Sequence, residues 1–405
     1  MSIDATKCLF LSTFLFTMGG AFLSNLRYAA IFCCGLALLL YFVPFLCLST
    51  HYKKPSNSVC FNTVLGFFLF WEVYIITYPL LFDGVMLKDG YSMLYDYTLP
   101  AYFIPLLLLL GQRHLQFEKL IDVLPLFLLL ALLFAFLNKQ VWQQDYQSLE
   151  YVEYQESLQL SNGVIGMLSV SVLMIPFLGF VESRWTQILI IFASSLVIMF
   201  CLVAARRGNL ATNVMYVMVF VYFKFLYGKG QIMKWIILPF IVCALAVVVV
   251  YISKLDLASY LIERGMEDSR SGVELFFYKD FETSSIDWLL GRGINGYYFC
   301  PFFENPRRQV IETGYLFLIL KGGLIYLFLY VTLFVHAIWM GFRSSNVILK
   351  IMASELVIRL LTLYPFGLPT FSSTDLFCWF YIFYCERYGG KNRFRTSKCP
   401  MLLSA

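Results

Sequence analysis

Two adjacent arginines, Arg206 and Arg207, lie between two apolar runs that are each long enough to cross a bilayer, in "FCLVAARRGNLATN". Arginine presents a planar fork of donors that suits phosphate oxygens, so two of them at a membrane surface can hold a diphosphate. Gly208 and Asn209 follow at a predicted helix start, where backbone N–H groups and the helix dipole favour an anion. The alternative is a pair of interfacial arginines that snorkel to lipid headgroups.

An acid stands beside the next apolar run, in "IETGYLFLILKGGLIYL". Glu312 is predicted to lie in the first turn of a helix, where a long polar loop re-enters the membrane. There it could serve as a general base that takes a proton from a hydroxyl group. The alternative is an acid with no chemistry, held at the helix start by the helix dipole.

Other charged residues are weaker candidates. The stretch "GRGING" holds Arg292 and matches a dinucleotide-binding pattern letter for letter, but it lacks the strand and helix that such a site needs. It therefore predicts a turn that lets backbone and Arg292 approach a ligand or the membrane helices. Glu355 and Arg359 lie four residues apart in an apolar run, so we expect an ion pair between them. Arg359 is also a candidate to line a polar cavity, because intramembrane charges usually face one.

Neither a metal site nor a disulfide framework is expected. The eleven cysteines lie mostly within apolar segments and show no CxxC spacing, and the three histidines are far apart in the chain. No cofactor and no nucleic-acid partner are predicted.

The composition sets the class of protein that must position these residues. Of 405 residues, 60% are hydrophobic and only 14% are charged, whereas a soluble domain carries about a quarter charged residues. The surplus of apolar surface predicts an all-α polytopic membrane protein with about twelve transmembrane helices, or ten to twelve, since hydropathy places helix ends only roughly. The predicted runs are 8–26, 28–48, 60–82, 97–111, 120–138, 161–181, 185–205, 209–227, 232–252, 313–340, 347–366 and 367–386.

Lysine and arginine in the short loops predict the orientation. The segments "HYKKPSN", "GQRHLQFEK", "GKGQIMK" and the tail "ERYGGKNRFRTSK" alternate with acidic or neutral loops, so they are assigned to the cytoplasm. The chain then divides into an N-terminal bundle (1–252), a large periplasmic loop (253–312), C-terminal helices (313–386) and a basic cytoplasmic tail (387–405). The Arg206–Arg207 turn is the one basic short loop that falls on the outer side.

These features together resemble a known family. The many helices, one large outer loop late in the chain, the Arg-Gly turn, "WLLGRGIN" and "ETGYLFLILKGGLIY" are similar to the Wzy-type polysaccharide repeat-unit polymerases, relatives of O-antigen ligase. The resemblance rests on architecture and on three short motifs between about residues 200 and 330. Many of these sequences have histidine where this chain has Glu312 or Thr313.

The resemblance implies a metal-independent glycosyltransferase of the bacterial inner membrane, with its active site facing the periplasm. Such an enzyme moves a growing glycan from undecaprenyl diphosphate onto a new lipid-linked repeat unit, in membrane lipid, alongside a flippase and a chain-length regulator. Arg206, Arg207, Arg270 and Arg292 are then the expected substrate ligands. Arg359, the intramembrane candidate, joins them as a residue that lines the substrate cavity, and the chemistry of the step needs a base, which Glu312 could supply. Two alternatives stay open, an O-antigen ligase acting on lipid A-core and a lipid-linked oligosaccharide flippase.

Overall fold

The computed structural model describes residues 4–22, 27–47, 56, 58–79, 98–110, 115–138, 151–203, 206–227, 269–302, 306–364 and 368–389. Its α-helices are α1 (Ala5–Ala21), α2 (Arg27–Cys47), α3 (Val59–Tyr78), α4 (Thr98–Ala101), α5 (Phe117–Leu137), α6 (Tyr151–Met174), α7 (Arg184–Val203), α8 (Arg207–Tyr227), α9 (Ser269–Phe281), α10 (Ser285–Leu290), α11 (Gly314–Arg343), α12 (Val347–Thr362) and α13 (Ser373–Tyr388). Two 3₁₀ helices span Ile104–Leu109 and Ile175–Phe180, and two short strands are β1 (Tyr298–Phe299) and β2 (Arg307–Arg308).

Seven helical segments within the described residues are long and apolar enough to cross a membrane. They fall in α2, α3, α5, α6 with its following 3₁₀ helix, α7, α8 and α11. The predicted all-α class is confirmed for this part of the chain, whereas the count of twelve stays a prediction. The predicted run 232–252 and the proposed boundary at 253 lie outside the described residues.

Some predicted helices have different bounds in the structure. The predicted run 97–111 is a four-residue α-helix followed by a 3₁₀ helix, because Pro100 and Pro105 lack the N–H groups that a continuous α-helix needs. Helix α6 begins at Tyr151, ten residues before the predicted run at 161, so it includes acidic residues that the hydropathy pattern had assigned to a loop.

Small residues let the central helices approach closely. A methyl group added at Gly163 of α6 would overlap Ala21 of α1, and one at Gly19 of α1 would lie 2.9 Å from the Ala30 carbonyl oxygen of α2. Apolar side chains gain little from leaving lipid for another apolar surface, so such close backbone packing is what associates membrane helices. The Thr13 and Ser373 hydroxyls also bond at 2.9 Å, which joins α1 to the start of α13.

Helix α11 is broken in its first third. Gly323 has φ 69° and ψ −174°, a conformation that interrupts the helix. The carbonyls beside the break take donors from elsewhere: Arg292 N bonds to Leu320 O at 2.8 Å, and Gly293 N to Lys321 O at 3.0 Å. The indole N–H of Trp71 on α3 donates to Gly322 O at 2.7 Å. The "GRGING" turn thus approaches the membrane helices, one of the two arrangements that its glycines predicted.

Residues 269–302 and 306–313 form a small unit beside this break, which we call the 269–313 unit. Its core contains Phe277 stacked on Phe281, with Trp288 and Tyr298 packed edge-on against Phe277. Strands β1 and β2 pair antiparallel, with Tyr298 opposite Arg308. The unit reaches the start of α11, where the Thr313 hydroxyl donates to the Glu274 carboxylate.

Candidate functional site

A polar cleft of about 390 Å³ opens where five parts of the bundle meet. These parts are the end of α1, the second half of α6, the start of α8, the end of α12 and the segment 368–375 that leads into α13. We call this side of the bundle the cleft end. Most of the lining residues carry a hydroxyl, amide or charged group: Thr17, Asn162, Ser169, Asn209, Thr212, Asn213, Tyr216, Arg359, Thr362, Thr370, Ser372, Thr374 and Asp375.

Helical spacing places these polar groups in the cleft. On α8, Asn209, Thr212, Asn213 and Tyr216 follow the i, i+3, i+4, i+7 pattern that puts side chains on one face of a helix. The sequence therefore contains a polar stripe on an otherwise apolar helix, a signal that charge alone does not show. Neutral donors and acceptors of this kind suit a ligand that carries many hydroxyl groups.

Arg359 lies in this cleft, as the sequence suggested, but its partner differs from the expected one. Its Nη2 donates to the Asp375 carboxylate at 2.6 Å and to the Leu368 carbonyl at 3.0 Å. The predicted Glu355–Arg359 ion pair is wrong. The start of α13 brings Asp375 to the guanidinium, and both residues are buried.

Asp375 is also held by its own loop. The Thr370 backbone N–H and hydroxyl donate to its Oδ2 at 2.9 and 3.0 Å, and the Ser372 hydroxyl does so at 3.2 Å. With Arg359 on its other oxygen, Asp375 has most of its acceptor sites occupied. It therefore fixes the position of Arg359 and of the segment that forms one wall of the cleft.

The arginine turn lies at the rim of the same cleft. The carbonyl oxygen of Arg206 accepts from Leu210 N at 2.9 Å, so Arg206 occupies the cap position of α8. Its Nη2 donates to the Ser161 hydroxyl at 3.3 Å, and Ser161 precedes Asn162 of the cleft. Arg207 is the first residue of α8, and its side chain lies outside the description. Asn209, in the first turn, lines the cleft.

Arg292 lies in the 269–313 unit, away from the residues that line the cleft. Its Nε donates to Asp287 at 2.8 Å, and its Nη1 donates to Asp280 and, at 2.7 Å, to the Tyr297 carbonyl. Arg292 thus has two counter-charges, Asp280 and Asp287. Its guanidinium carbon also lies over the Phe281 ring, 4.3 Å from the ring centroid.

Arg270 lies in the first turn of α9, and its side chain is not described. The structure thus places Arg359 in the wall of the cleft and Arg206 beside the cleft, through its bond to Ser161, and it holds Arg292 elsewhere. Whether Arg270 and Arg292 contact substrate stays a prediction.

Glu312 is exposed and lies just outside α11, because Thr313 is the cap residue and the helix begins at Gly314. The prediction that it occupies the first turn is therefore wrong by two residues. It shares the cleft end: Gly314 N donates to Leu363 O at 2.8 Å, and Leu363 follows Thr362 of the cleft. Glu312 itself is not among the lining residues.

Lys321 is a buried charge that the sequence reasoning missed, although it stands in the quoted "LKGGL". Only 1% of its surface is exposed, and its Nζ donates to the carbonyls of Ile294 and Gly296 at 2.7 and 3.0 Å. A lysine beside two glycines within an apolar run was the available signal. Its contacts tie the "GRGING" turn to the broken helix.

Among the described residues, no group of three or more histidine, cysteine, aspartate and glutamate side chains is placed to hold a metal ion. The fold and the cleft define a helical protein with several membrane-length helices and a polar site at one end of the bundle.

Comparison with protein families, with characterised proteins and with solved structures gives no match.

Proposed function

We propose that this protein is a glycosyltransferase that polymerises lipid-linked oligosaccharide repeat units at the outer face of the bacterial inner membrane. The observation that supports this most is the composition of the cleft. Hydroxyl and amide side chains line it, Arg359 lies in its wall, and the Arg206–Arg207 turn stands at its rim. Sugars need many neutral hydrogen-bond partners and a diphosphate needs arginine, so one cleft end offers both kinds of contact.

In the proposed reaction, the acceptor sugar hydroxyl attacks the anomeric carbon of the growing glycan. The bond between that carbon and the phosphate oxygen breaks, and undecaprenyl diphosphate leaves with the electron pair. Arg206 and Arg207 stabilise the departing charge, which is the largest demand of this step. Glu312 takes the hydroxyl proton, so the proton and the leaving group are both accounted for. The positive-inside pattern supports an outward-facing cleft end.

The proposal is tested by extension of a lipid-linked substrate in vitro. The purified protein, in lipid nanodiscs, receives lipid-linked oligosaccharide extracted from source cells that lack this gene. Products that carry two or more repeats support the polymerase. Transfer only to added lipid A-core supports the ligase, and movement across vesicle membranes without extension supports the flippase; either result removes the proposal.

Arg206→Lys is expected to lower the extension rate by about tenfold to a hundredfold. Lysine keeps the charge but loses the planar fork, and a hydrogen bond to a charged group contributes about 1.5–3 kcal/mol. The matched control is Arg184→Lys, since Arg184 is an exposed arginine at the start of α7, a different helix end. Equal rates in both variants at equal protein levels would leave Arg206 as a lipid-headgroup anchor.

Glu312→Gln is expected to lower the extension rate by roughly a hundredfold or more, because the amide cannot take a proton. Glu312→Asp should keep partial activity, since the carboxylate only retreats by one methylene. Glu182→Gln, at another exposed acid, is the control. Initial rates on a gel separate the cases, and a near-normal rate for Glu312→Gln would assign proton transfer to another group.

A further inference from the structure

The segment 285–294, which contains α10 and the first part of the "GRGING" turn, packs against two helices of membrane length. It contacts α11 at the break, where Arg292 N and Gly293 N donate to Leu320 O and Lys321 O. It also contacts α3, where Ile294 N donates to Ile75 O at 3.0 Å. The Ile75 carbonyl needs this donor, because Pro79, four residues later, has no N–H group.

The position of these bonds along α3 shows how far the segment lies from the end of that helix. Helix α3 ends at Tyr78, and each helical residue advances 1.5 Å. Ile75 is therefore about 4.5 Å, and Trp71 about 10 Å, from the end of α3. Because Trp71 bonds to Gly322 O and Ile75 bonds to Ile294 N, the turn lies below the end of a helix that is apolar enough to cross a membrane.

Backbone that enters lipid requires protein partners, since lipid offers no hydrogen bonds. The turn meets that requirement. Three successive N–H groups, from Arg292 to Ile294, donate to helix carbonyls. The carbonyls of Ile294 and Gly296 accept from the buried Nζ of Lys321. The polar backbone of the turn is thus bonded as a membrane-embedded segment must be.

The outer face of α10 is apolar and exposed. Ile286 and Leu289 have 68% and 52% of their surface accessible, and neither packs into the core of the 269–313 unit. The Leu289 carbonyl lies so close to Gly323 that a methyl group there would overlap it. On α11 beyond the break, Leu324 and Phe328 are also exposed, at 44% and 71%. The apolar face of α10 therefore adjoins that of a membrane-length helix.

From this position, bonding and continuity, we infer that α10 is a re-entrant segment whose apolar face, formed by Ile286 and Leu289, contacts lipid acyl chains, while the Arg292 guanidinium stays at the level of Asp280. Polar residues on the preceding turn, Glu282 and Thr283, mark where the chain leaves the lipid. The inference concerns the partner of this surface and does not depend on the proposed enzymatic activity.

The test uses spin labels on the full-length protein in phospholipid vesicles. Single cysteines at Ile286 and Leu289 carry a nitroxide, in a background whose native accessible cysteines are replaced by serine. Cysteines at Glu282 and Thr283 are the matched water-facing controls, and one at Phe328 is the lipid-facing reference. Collision with oxygen, which concentrates in lipid, is compared with collision with a water-soluble nickel chelate.

Labels at Ile286 and Leu289 are expected to show an oxygen-to-nickel collision ratio several-fold above the controls and close to that at Phe328. A ratio equal to that at Glu282 and Thr283 would overturn the inference, because it would place α10 in water. Low collision with both reagents would overturn it as well, since protein would then cover the surface. Each labelled variant must first elute from gel filtration as the unlabelled protein does, which the exposure of both side chains favours.

Discussion

Replacing Asp375 with asparagine is expected to lower the free energy of unfolding by about 3–5 kcal/mol, the cost of removing one partner from a buried ion pair. Arg359 would keep its charge in a buried position and lose its only described counter-charge within hydrogen-bond distance. The hydrogen bond from the Thr370 backbone N–H to residue 375 would weaken as well, so the segment that forms one wall of the cleft would be held less firmly. The measurement is equilibrium unfolding in mixed detergent micelles, followed by tryptophan fluorescence.

Glu355→Gln is the matched control for Asp375→Asn. Glu355 is a buried acid one turn from Arg359, yet neither carboxylate oxygen accepts a hydrogen bond within the described residues. The Tyr381 hydroxyl is its polar neighbour, and the glutamine oxygen can still face that hydroxyl. The substitution removes no described bond, so its expected effect is below about 1 kcal/mol.

The double variant Asp375→Asn with Arg359→Gln should recover part of the stability lost in Asp375→Asn, because no charge stays buried without its partner. If Glu355→Gln lowers the free energy of unfolding more than Asp375→Asn does, the result would favour the sequence-based pairing of Glu355 with Arg359. Equal stability of Asp375→Asn and the unaltered protein would show that the ion pair contributes little to the fold.

The pairing of Arg359 illustrates what the sequence could not predict. Hydropathy located most of the helices, because the free energy of placing each residue in lipid depends mainly on that residue and its near neighbours. The i, i+4 rule is local in the same way, and it favoured Glu355. The actual partner, Asp375, lies on the next helix, and only the packing of α12 against α13 brings it close.

The cleft was partly predictable for a related reason. The arginine turn was recognised from charge alone, and the polar spacing on α8 was available in the printed sequence. That α1, α6, α8, α12 and the 368–375 segment converge on the same cleft could not be read from any one of them. Their convergence depends on contacts such as Gly163 against Ala21, which join residues more than a hundred positions apart.

Gly323→Ala is expected to destabilise the protein by more than about 3 kcal/mol, through backbone strain and through steric overlap. Its φ of 69° with ψ of −174° belongs to a region that is essentially limited to glycine and costs other residues about 1–3 kcal/mol. The added methyl group would also overlap the backbone of Leu289 and Leu290, which cannot move without displacing α10. The bonds from Arg292 N and Gly293 N to the broken helix would then be lost or stretched.

Gly66→Ala supplies the control, because Gly66 lies within α3 and a methyl group there meets no atom within 4 Å. That change should be neutral or stabilise the protein by up to about 1 kcal/mol, the difference between glycine and alanine in a helix. Unfolding of the two variants in the same detergent mixture, together with hydrogen exchange at residues 292–294, measures both effects. We expect faster exchange of those amides in Gly323→Ala alone, since their acceptors are the carbonyls of α11 and α3. If Gly323→Ala unfolds and exchanges as Gly66→Ala does, α11 tolerates an unbroken helix at this point, and the bonds of the turn do not hold it in place.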